Sequence, residues 1–138
     1  EIRLRDVLLN ITGASIGRSA VADERIVGGN VNQHVCIIRT KSDELDSLFL
    51  NQFLISERGQ KQIESFQAGG NRQGLNFAQI RSFTLPLPPA LDEQQRIATC
   101  LSSFDDLITA ETQKLEALKT HKKGLMQQLF PAPEEVEA

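Results

Sequence analysis

The sequence predicts an α/β (α+β) fold: a partial globule of short strands and helices, followed by one long coiled-coil helix. Three observations predict it. Up to Arg39, short apolar and β-branched runs alternate with glycine turns. Between Asp43 and Arg81, apolar residues recur at helical spacing behind capping side chains. From Asp92 to Leu129 there is no proline and no glycine except Gly124, and apolar or methylene-rich residues step along the chain by four and three. The expected divisions are 1–89 for the globule, 90–130 for the long helix and 131–138 for a disordered acidic tail.

In chain order, Asp6–Thr12 reads as a strand running into the small-residue turn Gly13–Gly17. Ser19–Ala22 fits a short return strand and Arg25–Val27 another, ended by Gly28-Gly29-Asn30. Gln33–Arg39 fits a buried strand through Val35, Ile37 and Ile38. A helix is expected to start at Asp43, capped by Ser42 or Asp43, with Leu45, Leu48, Phe49, Phe53 and Leu54 as its apolar set. A second helix follows from about Ser56 to Gln67, using Ile63 and Phe66. The segment 68–74 is a polar loop with three glycines. Asn76 with Gln79 three residues later predicts a capping box on a short helix through Ile80 and Arg81. Phe83–Pro89 must be extended, because its prolines remove donors and bias the residues before them away from helix. Asp92 and Gln95 are the expected cap of the long helix, and Pro131 and Pro133 its stop.

The long helix sets the architecture. At ~1.5 Å per residue it extends roughly 57 Å, more than the preceding globule can cover. Its stripe is an unbroken heptad register: Ile97, Leu101, Phe104, Ile108, Glu111, Leu115, Leu118, Lys122, Leu125 and Leu129. Such a stripe calls for a second helix. Without another in this chain, self-association is expected. Facing Glu111 against Lys122 favours an antiparallel pair, since a parallel one would oppose like charges.

Composition narrows the function. A formal charge of −3 conceals an asymmetry: residues 1–89 hold ten Lys/Arg against nine Asp/Glu, and residues 90–138 hold five against nine. A stand-alone DNA binder usually carries a basic excess, so nucleic-acid affinity here must be local or shared with partners. Seven Phe with no Trp or Tyr leave little for a stacking platform. No apolar run reaches membrane-spanning length. Cys36 and Cys100 lack metal-ligand spacing and read as buried, reduced thiols of a cytoplasmic protein. The start at Glu-Ile-Arg-Leu, without Met, reads as a piece of something longer.

No catalytic or metal-binding set is visible. His34 lies in a strand, where a hydrogen-bonded structural role is expected, and His121 lies among lysines on the rod. Gly13–Gly17 lacks the Gly-Lys-Ser/Thr ending of a phosphate loop. The loop around Asn71, Arg72 and Gln73 carries side chains that read guanine and adenine edges, between glycines that allow close approach. An ordinary surface loop accounts for it equally well, and Ser15 and Arg18 admit the same two readings.

Taken in order, DVLLNITGASIGR, NVNQHV, RQGLNFAQIRSFTLPLPP, LDEQQRIATCLSSFDDLI and LEALKTHKKGLMQQLFP resemble the specificity subunit of type I restriction-modification systems. The junction PLPPALDEQQRIA and the terminal KKGLMQQLF are the most specific parts. The resemblance implies target recognition domains that each read half of a split double-stranded DNA site, and long helices that pair antiparallel as a ruler. It also implies docking of methyltransferase subunits, which carry S-adenosylmethionine, and through them of an ATP-driven restriction subunit. The specificity subunit itself would do no chemistry and hold no cofactor. This chain corresponds to the later part of one recognition domain plus one conserved helix, so strong DNA binding by the isolated chain is not expected.

Overall fold

A computed structural model describes residues 1–67 and 74–130. They form three strands, β1 (Val7–Asn10), β2 (Ser19–Val21) and β3 (Val35–Ile38), and four helices, α1 (Ser47–Ile55), α2 (Glu57–Ser65), α3 (Phe77–Arg81) and α4 (Leu91–Leu129). The strands make one antiparallel sheet in the order β2-β1-β3. Leu8 is flanked by Ala20 on one side and Ile37 on the other.

Strand alternation decides where the core sits. Val7 and Leu9 are fully buried while Leu8 and Asn10 are only half-buried. Val7 packs with Leu50 and Leu54 of α1, and Leu9 with Ile63 of α2 and Leu75. Phe83 touches both clusters, so the proline-rich segment closes the helical side of the sheet. Its extended path is held at Thr84, whose N–H donates to Gln62 Oε1 (2.8 Å) and whose carbonyl accepts from Gln62 Nε2 (3.0 Å).

Local chemistry sets the helix ends. Ser56 stops α1 and caps α2, its Oγ accepting from the Gly59 N–H (3.2 Å). Two helices this close leave no room at Gly59, where a Cβ would stand 2.2 Å from the Phe53 carbonyl oxygen. The expected capping box on α3 is present: Gln79 N–H to Asn76 Oδ1 and Asn76 N–H to Gln79 Oε1, both 2.9 Å.

Four expectations need correction. Residues 25–27 are a turn, because Asp23 accepts the Arg25 N–H (3.0 Å) and pairs with its guanidinium, curling the chain locally. Helix α1 starts at Ser47 and not at Asp43. Lys41–Leu45 closes a separate turn, and the cap is Asp46, whose carboxylate accepts the Phe49 N–H (3.0 Å). Helix α4 starts at Leu91, with the Ala90 carbonyl accepting from Glu93 and Gln94; Asp92 lies inside the helix and pairs with Arg96 (3.1 Å). Cys36 is buried as expected, but Cys100 is exposed on α4.

By packing, the chain divides into Glu1–Leu101 and Ser102–Ala138. The first unit thus includes about three turns of α4. Among the described residues, no helix is long and apolar enough to cross a membrane. The tail expected at 131–138 lies outside the described residues.

Candidate nucleic-acid interface

The β1–β2 connection is built around two left-handed glycines, Gly13 (φ 73°) and Gly17 (φ 86°). Gly17 donates to the Asn10 carbonyl (2.9 Å), and Asn10 donates to the Arg18 carbonyl (2.8 Å). From α2, Gln60 Nε2 donates to the Gly17 carbonyl (3.0 Å) and the Leu54 carbonyl (2.6 Å). A Cβ on residue 17 would meet Gln60 Oε1 at 2.8 Å. The turn is therefore held from behind, with Ser15 half-buried on it and Arg18 exposed.

Beside it, Thr12 Oγ1 lies 2.5 Å from His34 Nδ1, and Asn32 Oδ1 accepts the His34 N–H (3.0 Å). His34 is hydrogen-bonded, but it is exposed in the turn before β3 and does not lie in the strand expected for it.

Asn71, Arg72 and Gln73 lie outside the described residues. Their described neighbours on both sides adjoin the same turn. Gln67 lines a hollow with Gly13, Ala14 and Ile16. Gly74 (φ 99°) lies so close to β1's exit that a Cβ there would stand 2.4 Å from the Ile11 carbonyl oxygen. Leu75 then donates to that carbonyl (2.8 Å). The 15–18 turn and the described residues Gln67, Gly74 and Leu75 thus lie at one end of β1.

The sheet face opposite the helices carries a groove of about 670 Å³. Leu8, Ala20 and Val35 line it together with Asn10, Arg18, Asn30 and Asn32. Amide and guanidinium groups are the base-reading chemistry of the major groove. The asparagines are not picked out by sequence, because only the fold brings them to the same groove as Arg18.

A third feature joins the globule to the long helix. Gln94 is 1% exposed. Its Oε1 accepts the Asp46 N–H (3.0 Å), and its Nε2 donates to the carbonyls of Glu44 (3.1 Å) and Pro88 (3.0 Å). Beside it, Arg5 donates to Asp46 Oδ2 (2.6 Å) and Ser47 Oγ (3.2 Å). Only the glutamine in the junction motif hinted at this joint.

The heptad stripe is open. Ile97, Leu101, Phe104, Ile108, Leu115, Leu118, Leu125 and Leu129 are 36–71% exposed. Glu111 and Lys122 are exposed as well, and Glu111 lies 3.7 Å from Lys114. Among the described residues, no group of His, Cys, Asp and Glu could hold a metal.

The family described as type I restriction modification DNA specificity domain matches residues 4–120. Two curated proteins of Methanocaldococcus jannaschii are similar to the chain. The MjaX type I restriction enzyme specificity subunit is 33% identical over 99 residues, covering 70% of this chain and 23% of that protein. The MjaVIII type I restriction enzyme specificity subunit is 29% identical over 125 residues, covering 91% and 28%. The chain thus spans about a quarter of the length of these relatives. With the family match extending over most of its residues, the chain belongs to the type I restriction modification DNA specificity domains.

Proposed function

We propose that this chain reads one half of a split DNA site within a type I restriction-modification complex. In this reading Ser15 and Arg18, with Asn71, Arg72 and Gln73, make the contacts to duplex DNA. The α4 stripe pairs antiparallel with that of a second copy and also docks the methyltransferase subunits. The restriction subunit joins through them. The chain contributes no catalytic group; S-adenosylmethionine and ATP belong to the partners.

The observation that supports this best is the 15–18 turn at one end of β1, braced from behind by Gln60. A reading surface must be pre-set, since each flexible side chain ordered on binding costs affinity. A two-fold pair of identical chains would read an inverted repeat, because the symmetry of a site mirrors that of the protein bound to it.

The test is to co-express the chain with its methyltransferase subunit and measure methyl transfer to a randomised duplex library. The expected product set is an inverted repeat with one fixed spacer. Replacing Arg18 or Arg72 by Ala should weaken binding or relax one position of the site.

One observation favours a second reading, a coiled-coil scaffold that reads no DNA. The stripe is exposed along most of α4, while the globule is close to neutral. That reading predicts self-association with no sequence dependence of methylation, and the same library distinguishes it.

A further inference from the structure

We propose that the cavity between the Arg3–Asp6 turn and the start of α1 binds the phosphate group of a small ligand.

The cavity measures about 240 Å³ and lies wholly within Glu1–Leu101. Three arginines, Arg3, Arg5 and Arg39, and two aspartates, Asp6 and Asp46, share its lining, a formal charge of +1. Both carboxylates are already committed. Asp6 accepts from the Arg39 guanidinium and the Arg3 N–H, and Asp46 from the Arg5 guanidinium and the Phe49 N–H. At 2% and 5% exposure, they show little surface to an incoming anion.

The arginines keep donors in reserve. A guanidinium carries five N–H groups. The bonds to Asp46 and Ser47 occupy two of those on Arg5. The bonds to Asp6 and the Glu1 carbonyl occupy three of those on Arg39. Arg3 is exposed and forms no ion pair among the described residues. Its charge still reaches Asp6, which it helps to keep ionised.

The backbone holds these side chains in place. The Asp6 N–H donates to the Arg3 carbonyl (3.1 Å) and closes a four-residue turn. Arg5 stands third in that turn at φ 65°, with its N–H on the Ala22 carbonyl (2.9 Å). Glycine is the residue that such a position favours. Strain of this kind is kept where a side chain is needed. The Arg5 side chain lines both this cavity and a second hollow beside it, bounded by Leu48, Gln95 and Thr99.

Donor geometry selects the ligand. Arginines reach the cavity from the turn and from the end of β3, and Thr40, Ser42 and Gln95 complete its polar lining. Arginine forks match phosphate and carboxylate oxygens alike. A tetrahedral phosphate presents oxygens in every direction, whereas a planar carboxylate presents one edge, so donors on several sides favour phosphate. The cavity adjoins the start of β1. The 15–18 turn lies at its other end, about 13 Å away along a four-residue strand. That separation, and the recess itself, favour a small phosphate-bearing ligand over a DNA backbone.

The experiment titrates the full chain with inorganic phosphate, and separately with adenosine 5′-monophosphate, and follows backbone amide shifts by NMR at constant ionic strength. The expected result is saturable shifts at Arg5, Asp6 and Thr40, with a dissociation constant for phosphate on the order of 1 mM. Arg3→Gln should weaken binding about tenfold or more. It should fold normally, because Arg3 serves the turn through its backbone. Arg58→Gln, which removes the same charge from an exposed site on α2, should leave binding unchanged. Nucleotide binding about tenfold tighter than phosphate identifies a phosphate monoester as the ligand; equal or weaker binding identifies the free anion. The proposal is overturned if chloride at equal ionic strength reproduces the shifts, or if Arg3→Gln binds as wild type does. It is overturned as well if a short duplex displaces inorganic phosphate at equal phosphate concentration, since the site then belongs to DNA.

Discussion

Asp6 and Arg39 clamp the ends of neighbouring strands through a two-point ion pair: Arg39 Nε to Oδ1 at 2.8 Å and Nη2 to Oδ2 at 2.7 Å. Asp6 is 2% exposed and also accepts the Arg3 N–H (2.7 Å). Asp6 directly precedes β1 and Arg39 directly follows β3, so the pair locks the register that buries Val7 and Leu9. A slip of one residue would turn that face outward.

The first prediction follows from this pair. The Arg39 guanidinium holds the Asp6 carboxyl below its ordinary value of 3.8, outweighing the opposing effect of burial. A depressed native pKa contributes stability above the unfolded pKa, which is lost as pH falls through the native value. Wild-type protein should therefore lose stability below about pH 4. Asp6→Asn should be less stable at pH 7 and show a flatter acid limb. Urea melts between pH 2 and 7 measure both; an equally steep limb in the variant would mean that other carboxylates dominate.

Two glycines in helices should respond oppositely to alanine. At Gly59 the added Cβ would meet the Phe53 carbonyl oxygen at 2.2 Å and the Leu54 carbonyl oxygen at 2.8 Å. That backbone must shift, so Gly59→Ala should cost about 1–3 kcal/mol. At Gly124 nothing lies within 4 Å. Gly124→Ala should stabilise α4 by about 0.5–1 kcal/mol through helix propensity alone. Thermal melts of the two variants should move in opposite directions.

These contrasts show what the sequence could and could not disclose. Residues 83–89 had to be extended, the Asn76/Gln79 box was local, and the period of α4 persists from Ile97 to the end of the helix at Leu129. Each is a short-range property. The start of α1 is not legible locally, because Asp43 and Asp46 are equally good caps by type. Asp46 wins by holding Arg5, 41 residues away, and Gln94, 48 away. The supposed strand at 25–27 failed for the opposite reason, since an Asp-Arg pair two residues apart closed a turn that its apolar residues concealed. On the proposed interface, residue type alone points to Arg18. The groove that sets Asn30 and Asn32 beside it needed the fold.

The interface predicts a separation of stability from DNA effects. Arg18 is exposed, so Arg18→Ala should melt within about 0.5 kcal/mol of wild type. In the complex it should lose about 1–3 kcal/mol of discrimination at one base if the contact is to a base edge. If the contact is to phosphate, all sequences should weaken alike and the salt dependence should flatten. Gly17→Ala, strained at φ 86° and pressed on Gln60, should lower both stability and DNA binding. The chain alone should bind duplex weakly, with a dissociation constant above about 1 μM at physiological salt. If Arg18→Ala changes neither specificity nor affinity, the turn does not touch DNA.

The last prediction concerns how the stripe pairs. Place Leu101, Ile108, Leu115, Lys122 and Leu129 at heptad position a, and Ile97, Phe104, Glu111, Leu118 and Leu125 at d. An antiparallel dimer sets a against d. With the two-fold between residues 116 and 117, Leu115 faces Leu118 of the other copy, Ile108 faces Leu125, and Phe104 faces Leu129. Glu111 then faces Lys122, twice by symmetry. A parallel in-register dimer would also pair Ile97 and Leu101, which the antiparallel register sets opposite positions beyond Leu129, but it would oppose Glu111 to Glu111 and Lys122 to Lys122. Apolar area therefore leans towards the parallel arrangement, and the charges must outweigh it to select the antiparallel one. Each exposed pair contributes little in water, but like charges on a half-buried seam are penalised in every competing register. Against this stands the option that both long side chains reach past the seam into water and select nothing. Charge reversal separates the possibilities. Glu111→Lys should weaken the dimer, and adding Lys122→Glu should restore it, as read by sedimentation equilibrium at low and high salt. A double variant no tighter than the single one, or parallel helices in cross-linking, would rule out this register.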